Sequence, residues 1–291
     1  MKLITDISEM QSFSLSARAE GKKIGFVPTM GYLHEGHLSL ILAARAETDL
    51  VVVSIFVNPT QFAPGEDFER YPRDLERDKR LAEGAGTDIV FYPSASEMYP
   101  GDFSTYVEET KLSKHLCGLS RPTYFRGVTT VVLKLFNIIL PDVAYFGRKD
   151  AQQALIIKRM VRDLNLPIKI EVLPIVREED GLAVSSRNEY LSPRQRKQAT
   201  VLYQALMEAK RLVDSGAKDA YKIKERMKEI IESARDARID YINIVSQNTL
   251  EDIERVQGNV LIPLAVFIGK TRLIDNVELD VPSGGAGNTT R

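Results

Sequence analysis

The run LVVVSIFVN at residues 50–58 is apolar at nearly every position. A strand with one wet face alternates apolar and polar residues. A β-branched run without alternation needs cover on both faces, as strands have in parallel sheets flanked by helices. The neighbouring segments repeat the arrangement. KKIGFVP (22–28), DIVFYP (88–93), DVAYFG (142–147) and IKIEVLPIV (168–176) read as strands. GHLSLILAARAET (36–48), DFERYPRDLERDKRLAEGAG (67–86), TTVVLKLFNIIL (129–140) and DAQQALIIKRMVRDLN (150–165) read as helices. Strict alternation of this kind predicts a doubly wound parallel α/β sheet.

Beyond residue 176 the pattern changes. Residues 192–217 and 218–234 have the spacing of two amphipathic helices, and IDYINIVS (239–246), VLIPLAVFIG (260–269) and TRLIDNVEL (271–279) that of strands. The expected architecture is α/β: a Rossmann-like sheet domain over 1–176, then a smaller α+β domain over 177–280. The last stretch, 281–291, is rich in Gly, Ser, Thr and Asn and is expected to be disordered.

Composition narrows the function classes. The 291 residues carry 39 basic and 40 acidic side chains, a formal net charge of −1. That balance argues against a dedicated nucleic-acid or membrane-surface binder. A lone cysteine, Cys117, cannot form an internal disulfide, and the opening MKLITDISEM has no apolar core of signal-peptide length. The longest apolar helix candidate is interrupted by Lys134 and Asn137. A cytoplasmic protein is expected.

The chemistry concentrates at strand ends. VPTMGYLHEGHLSL (27–40) runs from a strand through a glycine-punctuated turn into a helix and holds two of the three histidines, His34 and His37. A helix N-terminus offers free N–H groups and a positive dipole end, and Gly31 and Gly36 let the backbone approach a phosphate. The imidazoles can donate hydrogen bonds there or become cationic as charge develops. A metal site is the poorer reading: H-E-x-x-H is absent, and only His115 and Cys117 could join the pair.

Other strand ends carry fitting groups. Asn58 and Gln61 in SIFVNPTQF offer uncharged amides, although NP also favours a plain turn. YFGRKDAQQ (145–153) repeats the strand–Gly–helix arrangement, with Gly147, the mobile charge of Lys149, Asp150 as helix cap or ribose contact, and Gln153 a turn later. DGLAVSSRNEYLS (180–192) is an interdomain loop in which Ser185, Ser186 and Arg187 could hold a pyrophosphate.

HEGH has the H-x-G-H form of the nucleotidylyltransferase superfamily, which includes class I aminoacyl-tRNA synthetases, and PTMGYLHEGHLSL resembles one of its families, the pantoate–β-alanine ligases (pantothenate synthetases). SIFVNPTQF, RPTYFRGVTTVVLKL (121–135), the Gly-x-Lys-Asp stretch and the Ser-Ser-Arg-Asn loop resemble the same family in order, over about residues 20–192. Its loop counterpart in the synthetases contains lysine; here Arg187 would take that part. The resemblance implies ATP contacts at Met30, Gly31, Tyr32, Leu33, His34, Glu35, Gly36 and His37, at Gly147, Arg148, Lys149 and Asp150, and at Val176, Val184, Ser185, Ser186 and Arg187. It implies catalytic parts for His37, His34, Lys149 and Arg187, pantoate or β-alanine contacts at Gln61, Gln153 and Asn58, and Mg²⁺ beside Asp78, which could equally lie on a solvated helix face. Pantoate would attack the α-phosphate of ATP, and β-alanine would then take the acyl group from the pantoyl-adenylate, releasing AMP and pantothenate. The second domain would act as a lid, and the assembly would be a homodimer. Two rivals remain. One is an adenylyltransferase acting on a phosphorylated acceptor, which would call for Lys or Arg at 61 and 153. The other is a non-enzymatic nucleotide- or tRNA-binding relative, against which the near-zero charge weighs.

Overall fold

The computed structural model describes residues 1–282; the expected tail lies, from residue 283 on, outside them. The chain divides into two compact units. The first comprises Met1–Arg177 and Val184–Ser186, the second Glu178–Ala183 and the described residues from Arg187 onward. The sequence placed one boundary after residue 176, whereas segment 178–186 contributes to both units in turn.

The first unit contains β1 (Lys2–Ile4), α1 (Ile7–Ala19), β2 (Ile24–Thr29), α2 (Glu35–Glu47), β3 (Leu50–Ile55), α3 (Leu75–Gly84), β4 (Ile89–Phe91), the short α4 (Ala95–Met98) and α5 (Cys117–Ser120), α6 (Tyr124–Ile139), β5 (Val143–Gly147), α7 (Ala151–Asp163) and β6 (Lys169–Leu173). Six strands form one sheet in the order β1-β4-β3-β2-β5-β6, every pairing parallel. Val51, Val52 and Val53 of β3 are fully buried, as a run without alternation requires. On one face the Phe26 ring of β2 meets Phe136 of α6 edge-on, centroids 6.3 Å apart. Toward the other, Val27 packs with Leu40 and Ile41 of α2 and Ala82 of α3. Strand order reverses between β2 and β5, where Gly25 pairs with Val143 and Phe26 with Ala144. A crevice beyond the carboxyl ends of these strands is the usual ligand site of such sheets.

Two local readings are corrected. The helix expected over 67–86 begins only at Leu75, with Asp74 as its N-cap. Tyr71 precedes Pro72, which disfavours helical backbone at Tyr71. Residues 66–71 form turns and bends, and the Arg73 guanidinium gathers the carbonyls of Phe68, Glu69 and Tyr71. The edge strand β1 went unread because three residues carry no period.

The second unit holds α8 (Pro193–Gln198), α9 (Val201–Asp214), α10 (Ala220–Glu232), β7 (Ala237–Ile242), β8 (Val245–Ser246), β9 (Gly258–Ile268) and β10 (Thr271–Val281). The helix expected over 192–217 is two helices, parted around Ala199 and Thr200. The strands are antiparallel, in the order β10-β9-β7, with β8 also paired to β9. Leu202 and Leu206 of α9 and Ile223 and Met227 of α10 share a core with Ile262, Leu264 and Val266 of β9. The outcome is the expected pair: a Rossmann-like parallel sheet and a smaller α+β unit.

Candidate active site

At the end of β2 the chain makes a braced turn. Thr29 Oγ1 donates to the Ser54 carbonyl at 2.7 Å and accepts from Gly31 N at 3.1 Å. Gly31 has φ +84°, and a Cβ there would lie 2.9 Å from Ile55 Cγ2 and 3.0 Å from Asp78 Oδ2, so this position needs glycine. Tyr32 follows in the left-handed region at φ +49°. Its N–H and that of Leu33 each donate to one oxygen of Asp78, both at 2.7 Å. Arg77 donates to the Leu33 carbonyl at 2.8 Å and lies over the Tyr32 ring. Met30 is half-buried behind this turn, and Glu35 is exposed at the start of α2.

The two histidines cap α2 reciprocally. Gly36 N–H donates to Nδ1 of His34 at 3.2 Å, and His34 N–H donates to Nδ1 of His37 at 3.3 Å. The rings stack with centroids 4.0 Å apart. Burial, then the His37 ring and the Lys149 ammonium, hold His34 down at about 2. Burial and Lys149 hold His37 at about 4. Both imidazoles are therefore neutral at ordinary pH. A neutral ring that accepts at Nδ1 carries its proton on Nε2, so each offers one Nε2–H donor. Of the two roles the sequence left open, neutral donor fits the geometry.

The turn after β5 is built differently. Gly147 has ordinary extended backbone, φ −88°, and a Cβ there would meet nothing within 4 Å. Arg148, Lys149 and Asp150 form a single 3-10 turn. Asp150 occupies the N-cap position of α7 without a side-chain capping bond, and its carboxylate lies 3.7 Å from Lys149 Nζ. The plain capping role is thus not what Asp150 does. Lys149 and Asp150 both act on the His34 ring, which places the two strand-end turns together at the crevice.

Asn58 and Gln61 lie beyond β3. Asn58 is buried and fully engaged: Nδ2 donates to Gln61 Oε1 at 2.8 Å and to the Gly127 carbonyl, while Oδ1 accepts from Tyr99 OH at 2.8 Å and from Thr60. Each polar atom of its amide thus has a protein partner, and Asn58 orients Gln61. Gln152 is likewise consumed, by Cys117, Leu112 and His115, which ties the lone cysteine and His115 into a structural knot. Its neighbour Gln153 receives the Tyr124 hydroxyl at 3.5 Å.

Sequence reasoning missed Glu66 and Arg121. Arg121 donates to both oxygens of Glu66, at 2.7 and 2.6 Å, and to the Gln61 carbonyl at 2.9 Å, and it stacks 3.9 Å above the Tyr124 ring. The motif RPTYF pointed at this segment, but nothing in the sequence gave Arg121 its partner 55 residues away.

From the connecting segment, Val184 N–H bonds the Val176 carbonyl at 3.0 Å, and Ser186 Oγ donates to the Tyr32 carbonyl at 3.3 Å. This ties Ser186, with Ser185 before it, to the histidine turn. Arg187 belongs to the second unit.

Asp78, expected beside Mg²⁺, has both oxygens occupied by backbone N–H groups and is 1% exposed. It is a brace of the turn. No group of three or more His, Cys, Asp or Glu residues able to hold a metal ion occurs among the described residues. Nor is any described helix long and apolar enough to cross a membrane.

Comparison with known proteins agrees with this geometry. A family model described as pantoate-beta-alanine ligase matches residues 2–278. A pantothenate synthetase of Thermotoga petrophila is 60% identical over 279 residues, covering 96% of this chain and 100% of that protein. The crystal structure of pantothenate synthetase from Thermus thermophilus superposes with a TM-score of 0.90 at 44% identity, over 95% of this chain and 99% of that one. A pantoate-beta-alanine ligase from Francisella tularensis, complexed with beta-gamma ATP and beta-alanine, superposes at 0.79 with 35% identity, over 95% of this chain and 97% of that one. With matches of this extent along its whole described length, the chain belongs to the pantoate–β-alanine ligase family.

Proposed function

We propose that the chain condenses pantoate with β-alanine in two steps driven by ATP. A pantoate carboxylate oxygen attacks the α-phosphorus, and the bond to the bridging oxygen breaks, so pyrophosphate leaves with its electron pair. The β-alanine amine then attacks the acyl carbon of the pantoyl-adenylate. The acyl–oxygen bond breaks, AMP leaves, and the nitrogen gives up a proton.

The observation that carries this reading is the pair of neutral imidazoles, each with an Nε2–H donor, at a helix N-terminus beside Lys149. Phosphoryl transfer of this kind asks for positioning and for donors where charge grows. His34 and His37 would donate to phosphate oxygens, Lys149 would neutralise them, and the space at Gly147 would admit the nucleotide. Ser185, Ser186 and Arg187 would receive the pyrophosphate. Gln61 and Gln153 would hold pantoate by amides alone, because a cation at the carboxylate would blunt its nucleophilicity. The same lack of fixed charge disfavours a phosphorylated acceptor. Mg²⁺ enters in our reading with the nucleotide phosphates as part of the substrate, the common mode for this ion.

The test is to incubate the protein with MgATP and pantoate, with and without β-alanine. Pyrophosphate that depends on pantoate, then AMP and pantothenate that depend on β-alanine, would support it. Pyrophosphate released equally without pantoate would sink it. The family resemblance also supports a homodimer, which sedimentation velocity checks: a monomer at micromolar concentration ends that part of the reading.

A further inference from the structure

Each candidate pantoate amide has an oxygen that accepts a hydrogen bond from within the protein. Gln61 Oε1 accepts from Asn58 Nδ2 at 2.8 Å, and Gln153 Oε1 faces the Tyr124 hydroxyl at 3.5 Å. Each bond fixes which end of its amide is oxygen and which is nitrogen, and so sets where the NH₂ donors and the second lone pair are held. Arg121 links them. It donates to the backbone carbonyl of Gln61 at 2.9 Å, and its guanidinium plane lies 3.9 Å from the centroid of the Tyr124 ring that carries the Gln153 partner. Its own charge does not face a ligand, because Glu66 takes it through two bonds of 2.7 and 2.6 Å, with the two side chains 15% and 25% exposed. Glu66 is fixed in turn by the Ala63 N–H at 3.1 Å. A neutralised arginine, a stacked ring and two amides form one assembly inside a single unit of the fold.

We propose that Arg121, clamped by Glu66, is a positioning residue that sets Gln61 directly and Gln153 through Tyr124, so that the acid substrate meets two amides already held in place. The inference rests on the reading of the two glutamines as the pantoate site. It deepens that reading: a carboxylate with a nearby hydroxyl would meet amide donors whose orientation is set before it binds. Lysine at 121 would keep the charge but lose the planar fork that meets Glu66, the carbonyl and the ring at once.

The experiment is steady-state kinetics on Arg121→Lys, Tyr124→Phe, Gln61→Ala and Gln153→Ala, with melting temperatures measured alongside. Arg121→Lys should raise the pantoate KM about tenfold, the scale of one misplaced hydrogen bond, and leave the ATP KM within about twofold. Tyr124→Phe keeps the stacked ring and removes only the hydroxyl, so its pantoate KM should rise about threefold. Repeating Arg121→Lys in the Gln61→Ala background should show a smaller increment than in the parent, since a residue that acts through Gln61 loses its effect with it. Equal rises in both substrates' KM values, or full additivity in the double variant, would mean that Arg121 merely supports the fold and would overturn the proposal. An unchanged pantoate KM in Arg121→Lys and Tyr124→Phe would also overturn it. If instead Gln61→Ala and Gln153→Ala leave the pantoate KM unmoved, the pantoate-site reading itself has failed and the inference falls with it.

Discussion

The turns after β2 and β5 sit side by side where the sheet reverses, and they are built on opposite plans. In the first, the chain fills its own space: Gly31 has Ile55 and Asp78 against it, Tyr32 is held in the left-handed region, and Asp78, Thr29 and the two histidines satisfy the backbone. In the second, a Cβ at Gly147 would meet nothing within 4 Å, and Asp150 leaves its helix uncapped by its side chain. Two glycines at equivalent strand ends thus have different causes. One is demanded by its surroundings, and the other stands in open space.

The largest expected effect lies at the braced turn. His37→Ala removes a donor placed for growing charge, and adenylate formation in a single-turnover assay should slow by about 10²–10⁴. A rate within threefold of the parent would show that the stacked pair serves the helix alone. Gly31→Ala forces a Cβ into occupied space with left-handed backbone, and should cost about 2–4 kcal/mol of stability by denaturant titration. Gly147→Ala sharpens the contrast. Its unfolding free energy should stay within about 0.5 kcal/mol of the parent, while the KM for ATP rises severalfold. If Gly147→Ala proved as destabilising as Gly31→Ala, the two turns would not differ as described.

The last contrast is in the pH dependence. Depressed values of about 2 for His34 and about 4 for His37 keep both rings neutral, so kcat/KM should show no histidine limb between about pH 5 and 7. The linked stability has a definite sign. In the unfolded chain these histidines take up protons below about pH 6.5, and in the folded chain they do not until about 4 and about 2. The unfolded state binds more protons in that window, so stability falls as pH drops through it. His37→Gln should flatten the fall of melting temperature between pH 6.5 and 4; a slope equal to the parent's would place the titration elsewhere.

Much of the site could be read before the structure because it is local. A strand, a glycine turn and a helix with His34 and His37 near its start declare an anion site within a dozen residues, and the unbroken apolar run at β3 declares its own cover. What escaped was relational. Asp78 looked like one acid on a charged helix because its partners, Tyr32 and Leu33, are more than 40 residues earlier. Asn58 gave no sign in the sequence of its partners Tyr99, Thr60 and Gly127, which tie its amide into the protein. Gln152 and Gln153 are neighbours of the same type, and only the knot around Leu112, His115 and Cys117 tells them apart. Helix length failed at Tyr71–Pro72, where a charge pattern suited to a helix met backbone that refuses one.

The edge strand β1 bears on how the chain comes to be folded. Lys2, Leu3 and Ile4 pair with Ile89, Val90 and Phe91, so this strand waits for a partner made more than 80 residues later. A ribosome delivers residues from the amino end, at roughly 5–20 per second. The opening segment must therefore remain unpaired for several seconds while β2, β3 and the helices around them are still being made. Closing so long a loop is slow by entropy alone. The carboxyl end of β4 points toward the same rim of the sheet as the histidine turn, so the edge strand joins the sheet only after that turn has been made.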